Sequence, residues 1–413
     1  MRSRGRVRVT PLLAVALAVV AVGCTLGPRS VERNRLRYNE AVKTTTEQQL
    51  LLNIVRLRYT DTPSSLSISS IADQHEIVAG LHAIPFFTSA AAGNAFGGYR
   101  GTILPQAELT GANRPTLSYT PIDDSEFTRR LFTPISLEGM TYLGKTTWPI
   151  STVFRLWLEN LNWVSNAETA SGPTPRDPPE YAAFLAGITA LQRLQDRKLV
   201  TLHSVEREEE LTDGVAAGES TPAAAVEAAK AGFAYRKKAG GWAVVRKKQQ
   251  PVLRVGAVDP GDPDFAAFCT AFRLDPAKRT FDLTSEKLDP YPPAGKLDAL
   301  DLETRSLLQV LFFISHGVRV PPPHAASGIA PSTAGGFDWG QVLDGLFTVC
   351  WADGKHPPEC AQVAVQYQGY WFYIDARDRD TKATFALLVE LSRLELGAKA
   401  GTAPILTLPL GGR

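Results

Sequence analysis

Apolar positions change their period several times along the chain, and the changes divide it into elements. Leu50, Leu51, Ile54 and Leu57 fall at helical spacing, which predicts a helix with one buried face. Thr44 and Glu47 precede it with capping-box spacing, and Asp61-Thr62-Pro63 ends it. The more polar stretch Val31 to Val42 is expected to be a separate helix. Ser64 to Ile71 alternates through Leu66 and Ile68 and predicts a strand. From Asp123 the helical period returns. Glu126, Phe127, Leu131 and Phe132 lead to Pro134, and Ile150 to Val164 places Val153, Phe154, Trp157, Leu158 and Leu161 on one helical face. Further helices are expected over Tyr181 to Arg197, Ala223 to Ala231, Leu302 to Ser315 and Thr381 to Leu396. Strands are expected over Leu199 to Val205, Leu346 to Trp351, Gln362 to Gln368, Tyr370 to Ile374 and Pro404 to Leu410. Phe233 to Val255 reads as a hairpin turning at Gly240-Gly241, with another strand after Pro251. Asp262 precedes a short helix as its cap.

One stretch fits neither period. Ile77 to Tyr99 carries no charged residue and contains Gly80, Pro85, Gly93, Gly97 and Gly98; Ile103 to Thr120 continues in the same style. Its glycine and proline content argues against a membrane helix. Long irregular strands, a hairpin or a glycine-rich surface loop all fit. Two proline-rich joints, Ser171 to Pro179 and Asp289 to Pro293, look like linkers. The expected organisation is a leader over 1–23 and a helical region over 24–170 that holds the glycine-rich segment 77–120. A small α/β domain over 177–288 and a C-terminal α+β domain over 294–413 follow. The fold class is α+β, with a helical and irregular N-terminal part followed by smaller mixed α/β units.

The first residues change the picture of location. Arg2, Arg4, Arg6 and Arg8 precede an apolar run from Val9 to Val22, and Ala21-Val22-Gly23-Cys24 follows. This is the pattern of a lipoprotein signal peptide, with Cys24 the lipidated residue of the mature chain. The apolar run is short for a membrane span of about 20 residues. Thr25 stands where an Asp would signal inner-membrane retention. The expected location is therefore the cell envelope, on the outer membrane facing the periplasm in a Gram-negative host.

Composition then removes some chemistries. A net charge of +2 is too small for a strong nucleic-acid binder, so no nucleic-acid partner is expected. There are four cysteines. Cys350 and Cys360 flank a turn-rich loop, and a hairpin disulfide between them fits an oxidising compartment. Cys269 lies in an apolar run and reads as a buried small hydrophobe.

Several motifs resemble active sites. Gly139-Met140-Thr141-Tyr142-Leu143-Gly144-Lys145-Thr146 matches a phosphate-loop pattern. The strand such a loop requires is interrupted by Pro134 and Glu138, and Pro149 falls within the helix it requires. Lys145 and Thr146 are therefore expected in a turn between helices. Asp375 to Thr381 is a carboxylate cluster whose simplest role is capping, with Asp380 as N-cap and Arg377 and Arg379 pairing with the acids. Ser315-His316 has no nucleophile elbow around it, and adjacent helical residues do not face one another. None of the six histidines has zinc-helix spacing. His356 between Cys350 and Cys360 could complete a metal site, but a disulfide accounts for the cysteines more simply. No catalytic residues, metal or cofactor are assigned. Arg236, Lys237 and Lys238 with Arg246, Lys247 and Lys248 flank the glycine turn beside Trp242. They form a candidate surface for anionic head groups or cell-wall polymer, or else a solvated hairpin kept apart by its charges.

Three stretches carry a likeness. Glu47-Gln48-Gln49-Leu50-Leu51-Leu52-Asn53-Ile54-Val55-Arg56-Leu57-Arg58-Tyr59 with Asp61 and Pro63 is the first. Tyr119-Thr120-Pro121 with Glu126-Phe127 is the second, and Tyr367 to Asp375 the third. Together they resemble a family of uncharacterised bacterial lipoproteins along nearly the whole mature chain. The resemblance implies an envelope location and one architecture, and brings no activity. The expected function is a lipid-anchored, non-enzymatic binding or scaffolding role with envelope-protein or cell-wall partners. The alternatives are an oligomeric membrane-inserting component that uses residues 77–120, and an envelope hydrolase.

Overall fold

The computed structural model describes residues 36–63, 66–72, 75–88, 100–113, 116–121, 125–211, 215–216, 222–238, 241–259, 261–285, 291, 293–397 and 406–409. The chain forms two compact units, one from residues 1–46, 65–124 and 397–413, the other from 47–64 and 125–396. The leader, Cys24 and the glycine-turn residues 239–240 lie outside the described residues. The class is α+β, as the changing periods imply.

Helix α1 covers residues 36–58 without a break. The expected cap at Thr44 is corrected. The Thr45 and Thr46 hydroxyls donate back to the carbonyls of Ala41 and Val42 at 2.8 and 2.7 Å, so they stay inside the helix rather than starting one.

In the first unit, β1 (Leu66–Ala72) and β2 (His75–Thr88) run out, and β3 (Arg100–Asn113) and β4 (Thr116–Pro121) return. β1 and β4 pair antiparallel, with a register shift between Ile68 and Ser70. β2 and β3 pair without a shift from His75↔Asn113 to Thr88↔Arg100. Long strands are among the expectations for this stretch, but β2 and β3 pair in a regular register rather than as irregular strands, and residues 89–99 lie outside the described residues. β16 (Leu406–Pro409) pairs antiparallel with β4. Pro85 and Pro105 lie at Pro85↔Ile103 and Ala83↔Pro105, two steps apart and so at pairs of the same kind. Both missing N–H groups can then point away from the partner strand.

In the second unit, α2 (Ser125–Phe132) and α3 (Leu137–Lys145) lead to α4 (Ile150–Trp157). The helix expected as far as Val164 stops at Trp157. Leu158–Leu161 is instead strand β5 and Val164–Ser165 is β6, joined through Asn162 and Trp163 at positive φ. α5 (Ala182–Asp196), β7 (Val200–Glu210), β8 (Val215–Ala216), α6 (Pro222–Lys230) and β9 (Phe233–Lys238) follow. β10 (Gly241–Val255) is one long strand, not two. Pro251 is tolerated because it falls between the last β9 pairing, at Arg246, and the first β11 pairing, at Val252, where only β7 runs alongside. α7 (Pro263–Ala271) is capped by Asp262, as expected, with its carboxylate accepting from the backbone N–H groups of Asp264 and Phe265. β11 (Thr280–Thr284) and β12 (Ala299–Thr304) complete a sheet of order β6-β5-β12-β11-β10-β7, in which only β11 and β12 are parallel. Leu302, expected to open a helix, is in β12. α8 (Leu307–Ser315) begins after Ser306, which forms a capping box with Gln309.

The sheet joins strands from both sides of both proline-rich joints, and a single buried cluster runs from Leu51 to Val389. The separate domains expected over 177–288 and 294–413 therefore share, as far as residue 396, one core with residues 47–64 and 125–176. The last part holds α9 (Pro322–Ser327), α10 (Gly340–Leu343), β13 (Cys350–Ala352), β14 (Ala361–Tyr367), β15 (Tyr370–Asp375) and α11 (Arg379–Gly397). β15 is central, flanked by β13 and β14. Among the described residues no helix is long and apolar enough to cross a membrane.

Candidate functional site

The second unit is built around a buried cation. Arg305 has no exposed surface. It donates through Nη1 to the carbonyls of Leu158 at 2.6 Å and Arg155 at 3.1 Å, through Nη2 to that of Asn166, and through Nε to Ser171 Oγ at 2.9 Å. Its guanidinium lies 3.9 Å from the centre of the Phe313 ring, and its backbone N–H donates to Trp157 at 2.7 Å. Asn166 Nδ2 serves the same two carbonyls, Arg155 and Leu158. The carbonyls that α4 leaves unsatisfied are thus taken by side chains, which is why the helix can end there. Burial lowers the Arg305 pKa to about 9.

Next to this hub is a cleft of about 830 Å³, walled by Arg58, His316, Arg319, Trp339 and Asp344 among others. The end of α8 and the segment carrying α10 shape it. Gly317 passes so close to the Phe347 carbonyl that a side chain there would collide with it. Arg155 Nη2 holds the carbonyls of Val342 and Asp344, each at 2.8 Å. Arg58 donates to the Pro331 carbonyl at 2.6 Å and to Thr174 Oγ1 at 3.2 Å.

His316 stacks on Trp339, with ring centres 4.2 Å apart, and its Nε2 lies 3.2 Å from the Ala170 carbonyl. A carbonyl only accepts, so Nε2 carries the proton of the neutral ring. Burial, and then the Arg58 cation, push the His316 pKa down to about 3. It is therefore neutral near pH 7 and a poor proton acceptor. Ser315 Oγ is engaged with the Phe312 carbonyl at 2.7 Å. The adjacent Ser and His do not form a nucleophile and base. The cleft is walled by aromatic side chains and by charged ones of both signs, Arg58, Arg319, Asp338 and Asp344.

The first and third stretches of the family likeness meet. Tyr59 packs edge-on against Tyr367 and Phe372, with ring centres 5.2 and 6.0 Å apart. Tyr367 Oη donates to Asp61 at 3.1 Å, and Gln48 reaches the Ala364 carbonyl. Tyr59 Oη lies 2.9 Å from His324 Nδ1, and burial raises its pKa to about 12. These residues seat α1 on β14 and β15, a packing role.

The basic hairpin differs from its expected appearance. β9 and β10 pair as predicted, with Trp242 opposite Lys237, but β7 lies along the other edge of β10 and carries Glu206, Glu208, Glu209 and Glu210. Arg246 bonds Glu209 at 2.8 Å, Lys247 bonds Glu206 at 2.7 Å, and Arg236 and Lys238 both bond Glu210. Lys248 is opposite Arg207 in the register. A candidate anionic-surface site made of Arg236, Lys237, Lys238, Trp242, Arg246, Lys247 and Lys248 is thus largely an ion-paired ribbon. The expectation overlooked that Glu206 to Glu210 would be its neighbour.

The remaining motifs resolve locally. Gly139 to Lys145 lies within α3, whose N-cap is Ser136. Lys145 is thus the last helical residue, not part of a turn. At Gly144 the tip of the Leu202 side chain occupies the space a side chain would take, so close helix–strand packing accounts for that glycine without a phosphate. Asp378, not Asp380, caps α11, accepting from Thr381 N at 3.0 Å and Thr381 Oγ1 at 2.7 Å. Arg377 pairs with Asp375 at 2.7 Å. Among the described residues no group of His, Cys, Asp and Glu could hold a metal ion. Cys269 is buried, and burial raises its pKa to about 11. Cys350 and Cys360 are half-buried free thiols. Cys350 lies in β13 opposite Tyr373 of β15, and Cys360 directly precedes β14 on the other side of β15, so the two are not opposite positions on one paired hairpin.

Arg305, Trp339 and Arg319 were not singled out in the sequence. The helical period runs on past Leu158, so no sequence signal pointed to the hub. No family model, curated protein or solved structure matches this chain.

Proposed function

We propose that this chain is a lipid-anchored protein of the bacterial cell envelope that acts by binding and assembly rather than by catalysis. It belongs, on this reading, with the lipoproteins that its three motif stretches resemble. The observation that carries the location is the N-terminal pattern: four arginines, a short apolar run and Ala21-Val22-Gly23-Cys24. Thr25 after the cysteine favours the outer membrane. The non-catalytic role is supported by the state of the polar side chains at the cleft. His316 is stacked and kept neutral, Ser315 is engaged by backbone, and Arg155 and Arg58 hold carbonyls. These residues fix a shape, which suits recognition better than proton transfer.

Cys24→Ser tests the anchor. The variant should lose metabolic lipid labelling and leave the membrane fraction; a variant that stays membrane-bound and is still processed refutes the reading. The envelope reading also implies oxidation of Cys350 with Cys360. Mass mapping of the unreduced mature protein checks this, and recovery of both as free thiols after export refutes it.

A further inference from the structure

Three of the side chains that wall the cleft in the second unit carry buried polar atoms left unpaired by the fold. Arg58 Nε, His316 Nδ1 and Trp339 Nε1 have no hydrogen-bond partner among the described residues. All three residues are at most 8% exposed, so they form the floor of the cleft. They also adjoin one another. The His316 ring stacks on Trp339, and Arg58 is close enough for its charge to act on the imidazole. Because His316 Nε2 donates to the Ala170 carbonyl, Nδ1 is left as an acceptor. The floor therefore presents two N–H donors and one acceptor. Buried polar atoms are paired in most folds, because water no longer solvates them, so an unpaired set on neighbouring residues calls for a partner.

The rim adds charge of both signs. Arg319, exposed, follows α8, and the exposed Asp338 and Asp344 bracket α10. Asp338 Oδ1 accepts from the Gly340 backbone N–H at 2.9 Å, which holds that carboxylate at the rim. A ligand that answers both layers carries a carboxylate for Arg319, an ammonium for the two acids, and groups between them that donate and accept. A short peptide with free termini has all of these. A phosphate would meet two carboxylates, and the hydroxyls of a neutral sugar would leave the rim charges unanswered. The cleft volume of about 830 Å³ lies within the range of small-molecule sites, roughly 300–1,000 Å³. It admits a few residues of chain rather than a folded partner.

The geometry points to a cleft that binds short peptides with free termini. A peptide carbonyl accepts from Arg58 Nε and Trp339 Nε1, and a peptide N–H donates to His316 Nδ1. The carboxylate end meets Arg319, and the ammonium end meets Asp338 and Asp344. The inference rests on the binding role of the proposed function and names what is bound.

The test titrates the full mature chain, extracted in detergent, with di-, tri- and tetra-alanine in a calorimeter. At least one of them should bind with a sub-millimolar Kd. Amidating its carboxylate or acetylating its amine should weaken binding about tenfold each, the scale of one charge-assisted hydrogen bond. Arg319→Gln should weaken the free acid about tenfold and leave the amidated peptide unchanged, because the two changes remove the same contact. Asp344→Asn should act in the same way on the free amine and leave the acetylated peptide unchanged. Replacing the amide that serves His316 by an ester removes only its N–H, and should also weaken binding about tenfold. The proposal is overturned if none of the three peptides binds at millimolar concentration, the result expected if resident water alone occupies the floor. It is equally overturned by capped peptides as tight as free ones, by an Arg319→Gln loss equal for acid and amide, or by esters as tight as amides. Lipid labelling at Cys24 is read separately. An anchored chain that binds no peptide refutes this inference and leaves the location standing, and a peptide-binding chain without a lipid does the reverse.

Discussion

Replacing Arg305 with methionine perturbs the second unit at its most connected point. Methionine keeps much of the aliphatic volume but removes every donor. The carbonyls of Arg155 and Leu158 retain Asn166 Nδ2. The Asn166 carbonyl and Ser171 Oγ lose their guanidinium contacts, and the Phe313 ring loses its cation. Hydrogen bonds from a charged donor contribute about 1.5–3 kcal/mol each, and a buried cation–π contact about 2 kcal/mol. Against this, the desolvation cost shown by the lowered Arg305 pKa is relieved. The balance is a loss of about 2–4 kcal/mol, set by the acceptors left unpaired at about 1–3 kcal/mol each. At roughly 2–4 °C per kcal/mol, the melting temperature should fall about 10 °C. All seven tryptophans lie in residues 125–396, so near-ultraviolet circular dichroism and tryptophan fluorescence follow this unit. Arg305→Lys keeps a cation but not the planar fork, and should recover less than half of the loss. A methionine variant within about 1 kcal/mol of wild type, on the scale of an ordinary surface substitution, would refute the role given to the hub. So would a lysine variant as stable as wild type.

Other expectations are simpler. His316 has its folded pKa lowered to about 3, against about 6.5 when unfolded. The unfolded chain therefore takes up the proton first, so this contribution is complete above pH 6.5 and is lost as pH falls toward 3. Between pH 7 and 5 the denaturant midpoint should register a loss of about 2 kcal/mol that His316→Gln abolishes; equal acid sensitivity in the variant rules this out. Lys145→Ala should leave stability and any nucleotide affinity unchanged, since Lys145 ends a helix; nucleotide binding that disappears in the variant would restore a phosphate-loop role. Native Cys269 should resist alkylation until the chain unfolds, because it is buried with a raised pKa; labelling at the rate of a free small thiol contradicts the packing.

What the sequence determined was local. The helix cap at Asp262, the strand period of Gln362 to Ile374 and the alanine-rich α6 follow from spacing within a few residues, where backbone hydrogen bonding and side-chain period act. The uncharged composition of the stretch from Ile77 was legible for the same reason. The caps expected at Thr44 and Asp380 failed through local hydrogen bonding; in the larger failures a distant residue intervened. The period from Ile150 to Val164 is helical throughout, but Arg305 and Asn166 capture the carbonyls at Arg155 and Leu158 and turn the chain into a strand. Cations on β9 and β10 read as a patch until β7 sets four glutamates beside them. The proline-rich joints read as linkers, yet the strands on either side of them pair in one sheet. The cleft was invisible because Arg58, His316 and Trp339 are separated by hundreds of positions or by a change of element. Tertiary structure decided these matters because burial and charge pairing depend on which surfaces meet, and local spacing does not encode that.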